Sequence, residues 1–290
     1  MATITASLVK ELREKTNVGM MECKKALQET DGDMDAAVKY LRERGIMKAE
    51  GKADREASEG IIAARLSADG KSGILAEVNC ETDFVSRNDG FVAFVNEIVD
   101  ALAASGAKNL EEALAVKLGQ GTVDEFVKSK VLELGENIRL RKFERFELSD
   151  HGTIAQYIHM GGKVGVLLEV GAESGETAAK EEFRDLVKDV TLHIAASAPR
   201  GLSREDIPAE VVDAEREIYR ARLIEQGKPE NIIENILKGQ VSKFYAETIL
   251  TEQAFVKDPD TTVGKLVESK GKEVGDKLAI RRFVRFGLGE

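Results

Sequence analysis

The sequence predicts an α+β chain. A short helical N-terminal segment leads into two related units of antiparallel sheet and helix, and the second unit carries a helical arm. Three observations point to this. Gapless internal matches run through the 290 residues, first at an offset of 92 and then at 140. In both copies alternating apolar residues give way to a helical period. All four prolines (Pro199, Pro208, Pro229, Pro259) fall in one stretch with no counterpart in the first copy.

Residues 1–55 match neither copy. Three short helices are legible there. One carries Leu8, Val9 and Leu12 after a cap at Thr5 or Ser7, the next spans 20–27, and the third spans 36–41 behind Asp31-Gly32-Asp33. Residues 48–59 are polar, with one glycine, and read as a linker. Residues 1–55 are therefore expected to form a three-helix interaction module on a tether.

The first copy is expected over 56–149 and the second over 150–290. Residues 60–66 overlie 152–158, and Gly70-Lys71-Ser72-Gly73 falls on Gly162-Lys163-Val164-Gly165. Each pair of segments reads as a β-hairpin, 60–67 with 73–79 and 152–159 with 165–171. Phe91, Val95 and Ile98 then match Phe183, Val187 and Val190 on one helical face. Further along, Arg141-Lys142-Phe143-Glu144-Arg145-Phe146 matches Arg281-Arg282-Phe283-Val284-Arg285-Phe286. This marks a last strand in each copy, whose alternating cations are expected to face solvent. The two offsets differ by 48 residues, so the second copy holds an insertion, at about 200–255. Gly227-Lys228-Pro229 splits it into two helices, which a short turn makes antiparallel, a coiled-coil-like arm.

Composition narrows the function. With 42 basic and 52 acidic residues the net charge is −10, which argues against a nucleic-acid binder held by bulk charge. No apolar run approaches the roughly 18 residues of a membrane span. The N-terminus shows no secretory pattern. A cytoplasmic protein is expected. Two cysteines in unlike contexts and three scattered histidines supply neither a disulfide framework nor a metal site. No cofactor and no catalytic residue is expected. Cys80 beside Glu81 is a conceivable thiol site, but its twin is Ala172, so a small buried residue suffices. His151 and His193 carry no motif and are expected at the surface or partly packed.

The repeat acts as an internal control. Thr82-Asp83-Phe84-Val85 lies over Ser174-Gly175-Glu176-Thr177. The scaffold thus folds without an aromatic at this loop, which makes Phe84 a candidate wedge for a partner. His159-Met160 likewise replaces Ser67-Ala68. Two unlike tips on like scaffolds suggest contact with two different surfaces.

Two motifs carry a resemblance. Leu12-Arg13-Glu14-Lys15-Thr16-Asn17-Val18-Gly19-Met20-Met21-Glu22-Cys23-Lys24-Lys25-Ala26-Leu27 and Glu77-Val78-Asn79-Cys80-Glu81-Thr82-Asp83-Phe84-Val85 resemble the two signatures of the elongation factor Ts family. The similarity runs over essentially the whole chain. It implies a ubiquitin-associated-like N-terminal module, two related core subdomains and a coiled-coil arm in the second. It also implies a guanine-nucleotide exchange factor that binds elongation factor Tu, GDP-bound and nucleotide-free, with no direct nucleic-acid or membrane contact. On this resemblance Asp83 and Phe84, within Thr82 to Val85, would intrude beside the magnesium site of the GTPase. Lys24, Ile138, His159 and Val256 would make further contacts. Asn17 stands where the family has glycine, and Lys257 where an apolar residue is expected. The chain ends soon after its last strand, so no contact from a C-terminal helical module is expected. An interaction scaffold without exchange activity, and a Cys80 thiol enzyme, remain as alternatives.

Overall fold

The computed structural model describes residues 4–16 and 18–290, so the departure at Asn17 lies outside it. Three N-terminal helices come first: α1 (Ala6–Thr16), α2 (Met20–Glu29) and α3 (Met34–Glu50). Asp33 caps α3 by accepting the Ala36 N–H. Leu12, Cys23, Ala26, Leu27, Ala37 and Leu41 close a small core.

The first mixed unit follows. It comprises β1 (Glu59–Leu66), β2 (Ser72–Cys80), α4 (Asp83–Ser86), α5 (Asp89–Ala104), α6 (Leu110–Ala115), β3 (Lys117–Leu118), β4 (Gly121–Thr122), α7 (Val123–Leu134) and β5 (Arg139–Glu147). The second comprises β6 (Gly152–His159), β7 (Val164–Ala172), α8 (Glu181–Ser197), α9 (Ala209–Glu225), α10 (Glu230–Thr248), β8 (Ala254–Phe255), β9 (Asp258–Thr262), α11 (Val263–Val274) and β10 (Leu278–Gly287). Each unit has a three-stranded antiparallel sheet with its second strand central: β1-β2-β5 and β6-β7-β10. One face of each sheet is covered by helix. Phe91, Val95 and Ile98 of α5 bury against Ala76 and Val78, and Phe183, Val187 and Val190 of α8 bury against Leu168 and Val170.

The opposite faces pack on each other. Ile62, Ala64, Leu75 and Phe146 from the first sheet meet Ile154, Leu167 and Phe286 from the second. The contact is reciprocal. The Ile62 N–H donates to Gly162 O at 2.8 Å, and the Ile154 N–H donates to Gly70 O at 3.2 Å. Such an exchange of equivalent contacts is what a pseudo-two-fold interface produces. It needs close approach: a Cβ on Gly73 would lie 2.9 Å from Leu167, and one on Gly165 2.4 Å from Ile62.

Two expectations need correction. The cations of the last strands are not simply solvated. A bulge at Arg141 puts two residues opposite one, so Arg141 and Lys142 both reach the fully buried Glu77, at 3.1 and 3.3 Å. A bulge at the equivalent Arg281 brings Arg281 and Arg282 to the buried Glu169, at 3.2 and 2.7 Å. Second, the N-terminal helices are not on a free tether. α3 runs on to Glu50, through the expected start of the linker, and packs along α7. A Cβ at Gly45 would sit 3.2 Å from Lys128 O, and Leu132 of α7 completes the N-terminal core.

The arm is the antiparallel pair α9 and α10. Its apolar contacts fall into two clusters, Ile207, Phe244 and Ile249 at the base and Leu223, Ile233 and Leu237 near the turn. Beside the cluster near the turn, Arg216 and Arg220 both pair with Glu234. Among the described residues no helix is long and apolar enough to cross a membrane.

Candidate partner-docking surface

The chain leaves β2 at Cys80 and turns into α4. Thr82 caps that turn by accepting the Val85 N–H at 3.4 Å. Its position is fixed from across the sheet. The Glu136 carboxylate accepts the Glu81 and Thr82 N–H groups at 3.0 and 3.1 Å and the Thr82 hydroxyl at 2.6 Å. In return, Glu81 accepts the Asn137 N–H at 2.6 Å. Val85 turns inward onto the core. Asp83 pairs with Arg87 at 3.1 Å. Phe84 is left 86% exposed, the most exposed of the large apolar side chains among the described residues.

The second copy uses the same brace. Asp276, the counterpart of Glu136, accepts the Glu173 and Ser174 N–H groups at 3.1 Å each and the Thr177 hydroxyl at 2.5 Å. These bonds hold its carboxyl below the usual range, the Thr177 hydroxyl contributing most. The sequence reading missed both acids. The available signal was an acid directly after Gly135 and again after Gly275, at the 140-residue offset.

His159 ends β6, exposed, its Nδ1 2.9 Å from the Tyr157 hydroxyl. Met160 follows with φ +49° and is 73% exposed. This tip belongs to the same end of the molecule as Phe84. Lys163 in the turn pairs with Glu59 at 2.5 Å, and Glu59 lies opposite Cys80 in the β1–β2 register. A cleft of about 290 Å³ lined by Ile61, Val92, Ile158 and Gly162 lies beside the tip. The pseudo-two-fold thus puts the loop of one unit and the hairpin tip of the other at one end of the molecule. The opposite end pairs Ser67-Ala68 with Glu176, both polar or small.

Lys24 is exposed on α2, beside the exposed Met20 and Met21, and Val256 is 49% exposed in the β8–β9 turn. Ile138 is not available as a contact. It is 4% exposed and packs in the first core, because the chain must bury an apolar residue as it enters β5. Its segment serves the surface indirectly, through Glu136. His193 also departs from expectation, being fully buried. Burial holds its pKa below the ordinary histidine value, against an opposing hydrogen bond to Gln253 Oε1.

Cys80 is buried, with its thiol donating to Thr82 O at 3.2 Å. Burial, and then the Glu136 carboxylate, push its pKa up to about 12. A thiol so held is protonated at neutral pH and is a poor nucleophile.

A bare aromatic on a hydrogen-bonded loop, next to an exposed His-Met tip, is the anatomy of a protein-docking face. Comparison with known sequences gives the family. The family model described as Elongation factor TS matches residues 81–290. The chain is 44% identical to Elongation factor Ts of Trichlorobacter lovleyi over 290 residues, 99% of this chain and 93% of the relative. It is 46% identical to that of Clostridium perfringens over 288 residues, with the same coverage. The Methylococcus capsulatus protein is 48% identical over 290 residues, again 99% and 93%. The chain belongs to the elongation factor Ts family, and its role is in translation elongation.

Proposed function

We propose that the chain promotes GDP release from elongation factor Tu and its exchange for GTP, with Asp83 and Phe84 displacing the magnesium environment of the nucleotide. The observation that carries this is Phe84, 86% exposed on a loop held by three hydrogen bonds to Glu136. Thr82 and Val85 fix the loop, and His159 extends the same face. Lys24 and Val256 supply contacts from α2 and the β8–β9 turn.

No covalent step is needed. A factor that binds the empty GTPase better than the nucleotide-bound one must weaken nucleotide binding by the same factor. Removing the magnesium environment takes charge compensation from the nucleotide phosphates, and a fresh GTP then expels the factor. The net charge of −10 favours approach to a basic patch, within the short range that cellular salt leaves.

The architecture supports a division of labour. Residues 1–55 act as a GTPase-binding module. Units 56–149 and 150–290 descend from a duplication, and a coiled-coil arm at about 200–255 was inserted into the second. The setting is the cytoplasm. The test is to mix the protein with elongation factor Tu loaded with a fluorescent GDP analogue and time its release. Acceleration supports exchange, while binding without acceleration leaves an interaction scaffold and overturns the proposal.

A further inference from the structure

The buried His193 faces the turn that displays Val256. The Val256 N–H donates to His193 Nδ1 at 3.2 Å. With Nδ1 accepting, the ring proton sits on Nε2, which lies 2.9 Å from Gln253 Oε1 and donates to it. Gln253 in turn donates from Nε2 to Ser197 O at the end of α8 and to Glu247 O near the end of α10. One helical turn before His193, on the same face of α8, Asp189 pairs with Lys257 at 2.6 Å. Two adjacent residues of one short turn are thus held by two side chains of one helix. The unexpected Lys257 is accounted for: its ammonium faces back to α8. Val256 is the exposed apolar side chain of the turn, 49% exposed, while the neighbouring Phe255 is buried with its ring 5.9 Å from the imidazole.

We propose that His193 is a positioning residue for partner docking: through the Val256 N–H it holds the β8–β9 turn in the shape that presents the Val256 side chain, with the Asp189–Lys257 pair as a second clamp. This rests on the reading of Val256 as a contact with the GTPase. The first copy offers a control. Thr122 pairs with Lys117 as Thr262 pairs with Ala254, so the counterparts of His193 and Gln253 there are Ala101 and Val116, and a turn at this place folds without the network. The shared fold therefore does not require the network.

Two substitutions separate the ring nitrogens. In His193→Asn the side-chain oxygen can stand near the place of Nδ1 and keep accepting from Val256. In His193→Gln the amide reaches the place of Nε2 and keeps only the Gln253 bond. Each is measured for GDP release from fluorescent-GDP-loaded elongation factor Tu, with a thermal melt, alone and combined with Val256→Ala. Val256→Ala is expected to slow exchange about tenfold, the cost of truncating a docking side chain. His193→Gln should slow it about fivefold and His193→Asn by less than about twofold. His193→Gln with Val256→Ala should be no slower than Val256→Ala alone, because residues acting through one contact are not additive. If the double variant shows the product of the two losses, or if Asn and Gln lose activity equally in step with their melting temperatures, the positioning role is overturned. If Val256→Ala exchanges at the parent rate, the Val256 contact itself fails, and the proposal with it.

Discussion

Two loops in this molecule have the same frame and different contents. After β2 and after β7 the chain turns under a carboxylate from a distant segment, Glu136 in one copy and Asp276 in the other, each accepting two backbone N–H groups and one hydroxyl. On the first frame stands Phe84; on the second, Glu176. The frame is thus a property of the fold and the displayed side chain is not. A large apolar residue that the fold does not need, left 86% exposed, is a candidate for use outside the molecule. The arrangement also lowers the cost of binding, since a loop already fixed loses little freedom on docking.

The comparison breaks most sharply at Phe84. Phe84→Ala should cost about 2 kcal/mol of stabilisation of the nucleotide-free complex. That is on the order of a 30-fold loss in exchange efficiency. The melting temperature should barely move, because the ring buries almost nothing in the free protein. Glu176→Ala at the twin position should change neither quantity. Asp83→Ala should act in the same direction as Phe84→Ala without adding to it, as the two share one loop. Stopped-flow release of a fluorescent GDP analogue beside a thermal melt reads both. A Phe84 variant that melts early yet exchanges normally would make the ring a packing residue.

The braces themselves give the next largest effect. Glu136→Ala frees the Glu81 and Thr82 N–H groups and the Thr82 hydroxyl, so the loop carrying Phe84 loosens. Exchange is expected to fall roughly tenfold, an ordering cost repaid at binding. Asp276→Ala should lower the melting temperature through the same lost bonds and leave exchange near the parent rate. Equal losses of exchange in the two variants would show that the brace matters only for stability.

How far these features could be read in advance follows from the range of the interactions. The hairpins at 60–67 with 73–79 and at 152–159 with 165–171 were legible because alternation is local, and they reappear as β1–β2 and β6–β7. Phe84 and His159 stood out because the repeat supplied a twin for each. What escaped depends on contacts between distant segments. The sheets meet through Gly73 and Gly165, and nothing in a two-residue period says which face of a sheet meets which. The bulge at Arg141 rotates a cation into a buried site, where strict alternation would have left it in water. Leu132 gives no sign in its own helix that it completes the core of another. Ile138, carried over as a contact from the resemblance, and His193, expected at the surface or partly packed, are both buried by contacts with distant segments that no local period announces.

A smaller effect is expected from the arm, which only the second copy carries. Its apolar contacts fall into two separate clusters, so the distal part has its own small core. Replacing residues 213–240 by a short turn removes that part and keeps Ile207, Phe244 and Ile249 packed at the base. The shortened protein should still unfold in one cooperative transition, with exchange within about threefold of the parent, as expected when the central docking residues are untouched. A broad or multistep melt by circular dichroism would mean that the arm is structurally part of the second unit.

The smallest effect should come from the pair Cys80 and Ala172, equivalent positions at the ends of β2 and β7. Both are buried, at 0% and 5% exposure, against the helical side of their sheets. Cys80→Ala replaces a thiol by the residue that the twin already uses. It removes one sulfur from a packed site and one weak hydrogen bond to Thr82 O, a loss of about 1 kcal/mol at most by analogy with small core truncations. Exchange should stay within about twofold, because Thr82 keeps its bonds to Glu136, and the loss of a weak sulfur bond falls at the low end of hydrogen-bond contributions. The thiol also makes a pH prediction. Its folded pKa, about 12, is raised above the ordinary 9.0, so its contribution to stability is complete below pH 9.0 and is lost as pH rises from there toward about 12. The parent should lose more melting temperature than Cys80→Ala across that window and show no difference in slope below it. Alkylation by iodoacetamide at neutral pH should be slow in the folded protein and fast in denaturant. Rapid alkylation of the native thiol with loss of activity, or abolition of exchange in Cys80→Ala, would restore the case for a reactive cysteine and make the two copies differ in chemistry as well as in display.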